Sequence, residues 1–205
     1  MAQVNLDNLI GETTFGLNRI FLAFPKTQWR PTYWVMADHH SGDYWPLSQI
    51  LSEDAKFLIR DDFRSAFEPY RSKDNIEYFH RCDLHDHMNI ESDGLPTEWH
   101  PPKYCRYGGG LFIGMQKAVL LGATQIVLLG CDLWVPRDGD EDVNHFDPAY
   151  CKRKWAPSDY DRISRTMIRA HENAKRSCDK LGVEVVNCSG GKLEVYPRRP
   201  LQEVL

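Results

Sequence analysis

The chain has 205 residues, of which 42% are hydrophobic, 12% aromatic and 26% charged, with 25 Lys+Arg against 29 Asp+Glu for a formal net charge of -4. So many aromatic residues exclude a disordered chain and leave one domain, residues 1–205, as the expectation. The mildly acidic balance gives no general attraction for nucleic acid or an anionic membrane, so a phosphate-bearing ligand needs a local site.

In chain order, Thr13–Phe15 and Thr32–Ala37 read as strands, Tyr44–Ser52 as a short helix, and Lys56–Ile59 as a strand. Phe63–Tyr70 reads as a second short helix and Ile76–Phe79 as a strand. A strongly apolar helix follows over Leu111–Leu121, then a strand over Gln125–Gly130. The last pair is a long helix over Asp159–Leu181, with Ile163, Met167, Ala170 and Ala174 on one stripe, and a strand over Val183–Asn187. Ser158 is the expected N-cap of the long helix, and Gly182 sits where a C-cap glycine belongs.

Such alternation predicts an α/β fold with a mostly parallel sheet, whose ligands bind at the carboxyl ends of the strands. Cys82 to Tyr107 and Pro136 to Pro157 interrupt the alternation as long loops. The longest nearly apolar run, Ile126 to Val135, is broken by Gly130 and Asp132. It is far short of the ~20 residues that span a bilayer, so no membrane span is expected. The first residues have neither a basic nor an apolar signal region, and the expected location is cytoplasmic. The six cysteines contain no C-x-x-C, which fits reduced, buried thiols better than a zinc site or a disulfide framework.

Several residues have the chemistry of a site. Gly108, Gly109 and Gly110 directly precede the apolar helix, where bare backbone N–H groups and the helix dipole suit a phosphate; a flexible lead-in to a buried helix explains them as well. Asp132 follows the strand ending at Gly130, and Asp38 closes Thr32–Ala37. Each stands where a parallel sheet presents a ligand-binding carboxylate, for a ribose, a sugar or Mg²⁺, or where an Asp tightens a strand-exit turn. His145, between Asn144 and Phe146, is the best general acid/base candidate, with an idle surface His as its competitor. Arg153, with Lys152, Lys154 and Trp155, forms a basic and aromatic cluster suited to a phosphate or carboxylate, or to a solvated approach to the last helix.

Asp138, Asp140 and Asp142 alternate as in a calcium loop, but Val143 holds the glycine position and Ala149 the bidentate glutamate position. Asp83, His85, Asp86 and His87 match no zinc spacing. No metal site is expected from either set.

Glu12 to Leu22, Pro31 to Asp38, Gly108 to Gln116, Leu128 to Asp132, Asn144 to Tyr150 and Asn187 to Arg198 together resemble the MptE-like 6-hydroxymethylpterin diphosphokinase family. More remotely, they are similar to bacterial family 42 sialyltransferases and to motility-associated flagellin glycosyltransferases. The resemblance implies a Rossmann-like three-layer sandwich and a nucleotide-dependent transferase. In the sialyltransferase branch the donor is a CMP-activated sugar, no metal or other cofactor is needed, and a glycan or small molecule accepts the sugar. There Asn18 would contact the donor nucleotide or sugar, Gly109 and Gly110 would approach its phosphate, and His145 would be the base. With the residues read above, the expected site has His145 and Asp132 as catalytic residues and Asn18, Asp38, Gly108, Gly109, Gly110, Asn144 and Arg153 as nucleotide or donor contacts. In the diphosphokinase branch the cofactors are Mg²⁺ and ATP, with Asp38 and Asp132 near the metal. Family members begin with a further strand and a G-x-G-P-S-like turn, whereas this chain starts at Met1 just past it. Either the 205 residues are a truncated reading frame or this is a reduced form lacking its first strand, which admits an N-terminally truncated, non-catalytic nucleotide-binding remnant, or a homo-oligomer that covers the exposed sheet edge.

Overall fold

The computed structural model describes residues 4–37, 50, 53–70, 74–79, 109–133, 146–147, 150 and 157–205, with 157–164 and 166 described by their backbone alone. These residues belong to two compact units, one within 4–84 and 100–116, the other within 1–3, 85–99 and 117–205.

The first unit is built on a parallel sheet in the order β1-β2-β3-β4: β1 (Phe15–Leu17), β2 (Tyr33–Met36), β3 (Lys56–Arg60) and β4 (Ile76–Phe79). Register is regular, with Trp34 beside Phe57 and Leu58 beside Glu77. Because side chains alternate across a strand, the apolar runs of β2 and β3 supply two faces. Trp34, Met36, Phe57 and Ile59 make one core with Ile50, Ala55 and Phe67. Val35, Ala37, Leu58 and Phe79 make the other with Ile113. The first face is covered in part by Phe21 and Phe24, from a 3-10 stretch over Ile20–Lys26, and by Phe67 of a one-turn helix, α1 (Arg64–Phe67). Ile113 on the other face comes from α2 (Gly110–Leu120), whose residues 112–116 are all buried. Near the start of the unit, the Asp7 carboxylate accepts from the Thr27 hydroxyl and the N–H groups of Gln28 and Trp29, which ties the chain entering β1 to the segment entering β2.

In the second unit β5 (Gln125–Leu128) pairs in parallel with β6 (Glu184–Asn187), joined through α3 (Pro157–Lys180). The end of α2 and the end of α3 are built alike. Gly122 and Gly182 take φ values of 85° and 71°, conformations that a glycine adopts without penalty. Ala123 N–H reaches back to the Ala118 carbonyl and Gly122 N–H to that of Val119; Val183 and Gly182 do the same with Cys178 and Asp179. Each Leu-Gly pair thus closes a helix and turns the chain into a strand. The α3 face carrying Ala170, His171, Ala174 and Cys178 is buried, and the hydroxyl of buried Tyr196 donates to the His171 carbonyl at 3.1 Å. Burial lowers the His171 pKa to about 4.

The α/β character and the parallel pairing match the sequence expectation. One detail is corrected. The long helix starts at Pro157, so Ser158 lies in its first turn and is not the N-cap. Proline suits a first helical position because its φ is already helical and an N–H there has no intrahelical acceptor. Among the described residues no helix is long and apolar enough to cross a membrane.

Candidate functional site: the carboxyl edge of the four-stranded sheet

Parallel strands end with their carbonyls and exit loops on one edge, and here the exits of β1, β2 and β3 converge on Ala37, the fully buried residue after β2. From the β1 side comes Asn18, in the left-handed region at φ 44°, a conformation that Asn tolerates better than most side chains. Its N–H donates to the Val35 carbonyl at 2.8 Å, its carbonyl accepts the Trp34 indole N–H at 2.8 Å, and its side-chain Oδ1 accepts the Ala37 N–H at 3.2 Å. From the β3 side comes Arg60, only 8% exposed. Its Nη1 donates to the Ala37 carbonyl at 2.8 Å, its Nε to Asp62 Oδ1 at 2.5 Å, and its guanidinium lies 4.4 Å from the Phe63 ring centre. Both backbone polar groups of Ala37 are therefore satisfied by side chains from the neighbouring strand exits.

The first turn of α2 stands against the same residue. A Cβ placed on Gly110 would meet the Ala37 methyl at 3.1 Å and Val35 Cγ1 at 3.9 Å, so the helix start approaches the sheet as closely as glycine permits. Gly109 is glycine for a different reason: it has open space around it but a φ of 149°. The result is a helix N-terminus, the positive end of the helix dipole, seated at the carboxyl end of a central parallel strand. That arrangement favours an anion.

Asp132 belongs to the second unit and lies just past the carboxyl end of β5. Its carbonyl accepts the Lys192 N–H at 2.7 Å, and a Cβ on Gly191, at φ 79°, would collide with that carbonyl. The loop after β6 is held against this exit by Ser189, whose hydroxyl accepts the Cys131 N–H at 2.9 Å, and by Asn187, whose side chain takes the Ser189 N–H at 2.9 Å. The Asp132 backbone is thus a structural part of the strand exit, and its carboxylate accepts no hydrogen bond among the described residues. Desolvation, with the neighbouring Asp132 charge second, pushes the Cys131 thiol up to about 12, which removes it as a nucleophile at neutral pH.

Of the residues singled out in the sequence, the structure thus gathers Asn18 and Gly110 at Ala37, with Gly109 next along the chain, and puts Asp132 at the exit of β5. Asp38, Gly108, Asn144, His145 and Arg153 lie outside the described residues. Sequence reasoning missed Arg60. Its signal was available: a cation that closes the apolar run Phe57-Leu58-Ile59 and is followed by Asp61-Asp62. Compared with family models, curated proteins and solved structures, the chain finds no match.

Proposed function

We propose that the chain is a nucleotide-sugar-dependent glycosyltransferase, sialyltransferase-like and akin to the MptE-like family, that takes a CMP-activated sugar on a Rossmann-like three-layer scaffold. The observation that supports this reading most is the seat of the Gly109-Gly110 helix start against Ala37, flanked by Asn18 and Arg60. Helix N–H groups there would hold the donor phosphate and stabilise the charge that grows on it as the sugar departs. His145 would take the proton of the acceptor hydroxyl, and Asp38, Asn144 and Arg153 would complete donor binding. Asp132, at the exit of the other parallel pair, is the second strand-end carboxylate of the reading.

Equilibrium binding of CMP, CDP, ATP and GTP, each with and without Mg²⁺, tests it. Metal-independent binding selective for CMP is the expected result. Binding of ATP that requires Mg²⁺ would replace this reading with pyrophosphoryl transfer to a pterin-like alcohol, and folded protein that binds none of them would replace it with a non-catalytic remnant.

A further inference from the structure

We propose that Arg60 is a positioning residue of the nucleotide site, acting through Ala37 to hold the floor on which the first turn of α2 rests; this deepens the reading of the carboxyl edge as that site. Arg60 is nine-tenths buried at the end of an apolar strand, and its acidic partner among the described residues, Asp62, is half exposed. Taking a guanidinium out of water is costly, and an apolar side chain of similar volume in such a place is often neutral or stabilising. Met or Leu at this position would also pack on the Phe63 ring.

What neither could do is donate to the Ala37 carbonyl. That carbonyl belongs to a residue with no exposed surface, so without Arg60 a backbone acceptor loses its partner. With Arg60 on the carbonyl and Asn18 on the N–H, the peptide groups on either side of Ala37 are both pinned. The Ala37 methyl in turn sets how closely Gly110, and with it the first turn of α2, approaches the sheet. Hydrogen bonds and helix-end electrostatics weaken over tenths of an ångström and a few degrees, so a floor free to shift loosens a bound phosphate without unfolding the unit.

CMP binding by titration calorimetry, on the wild-type chain and on Arg60→Met, Arg60→Lys, Gly110→Ala and the double variant Arg60→Met/Gly110→Ala, tests this. Arg60→Met is expected to weaken binding tenfold or more with circular dichroism unchanged. Arg60→Lys recovers part of that loss, because an ammonium still donates to the Ala37 carbonyl. The double variant is expected to lose less than the product of the two single effects, since both act on one spacing. A merely structural arginine would give independent, multiplying losses. Arg60→Met that folds and binds CMP as the wild type does, or losses that multiply, overturns the inference alone. If Arg60→Met does not fold, Arg60→Lys decides, and full wild-type affinity after correction for any loss of folded protein overturns it. A folded wild-type chain that binds no nucleotide overturns the functional reading, and the inference with it.

Discussion

Two glycines of α2, replaced one at a time by alanine, separate the role of space from that of helix propensity. In a helix interior, Gly→Ala stabilises by at most ~1 kcal/mol. At Gly114 the new Cβ would lie 3.6 Å from the Phe15 ring, an ordinary contact, so most of that gain should be realised. At Gly110 the new Cβ would lie 3.1 Å from the Ala37 methyl, and Ala37 is held by Asn18 on one side and Arg60 on the other. The neighbour that would have to give way is the one least able to. Overpacking of this kind costs ~1–3 kcal/mol, which exceeds the small propensity gain available at a first helical position. The expected outcome is Gly114→Ala more stable by ~0.5–1 kcal/mol and Gly110→Ala less stable by ~1 kcal/mol, a separation of ~2 kcal/mol. Urea titrations followed by circular dichroism resolve that gap, and in thermal scans it amounts to ~4–8 °C for a chain of this size. Equal stabilisation by both substitutions would mean that Ala37 moves aside freely and is not pinned by Asn18 and Arg60.

Other positions make independent predictions. His171 titrates near 6.5 when unfolded and at about 4 when buried in the native chain, so between those values the unfolded chain binds more protons. Stability should be complete above about pH 6.5 and fall by ~2 kcal/mol between pH 6.5 and 5, and His171→Asn should flatten that slope in denaturation titrations run across the range. Gly191→Ala places a Cβ into the Asp132 carbonyl at a left-handed φ and should cost ~3 kcal/mol or more, read as a lowered urea midpoint. Gly182→Ala meets open space and should cost only the ~1–2 kcal/mol of the left-handed backbone. Asp132→Asn keeps the backbone bond to Lys192, so stability should hold; unchanged affinity for CMP in that variant would reduce the side chain to a feature of the strand exit.

Strand and helix positions were legible wherever one physical signal dominated. β4 has the expected bounds, and β3 runs one residue further, through Arg60. β1 begins two residues later than its Thr-Thr-Phe pattern suggests. The cause is local: Thr14 and Thr32 exchange hydroxyl and N–H hydrogen bonds ahead of the ladder, at 3.1 and 3.3 Å. β5 stops at Leu128 instead of Gly130, because Gly130 turns at φ 69° and the next N–H goes to Ser189. Phe63–Tyr70 was expected as one helix and appears as a single α turn between 3-10 turns, with Pro69 lacking the N–H that would continue the α ladder. The site divides in the same way. Gly110 is visible as a glycine before an apolar helix, but that it rests on Ala37 depends on how strands distant in sequence pair. Arg60 escaped notice because its partner is a backbone carbonyl 23 residues away, and a carbonyl leaves no mark in a sequence.

Amide hydrogen exchange with and without CMP decides whether the first turn of α2 is the nucleotide site, because it reports where a ligand binds as well as whether it does. Slowed exchange is expected at Gly110 to Phe112 and at Ala37, the N–H groups in and beneath the first turn of α2, with no Mg²⁺ required. Exchange that is unchanged at these amides while CMP demonstrably binds, with protection confined to other segments, would contradict it.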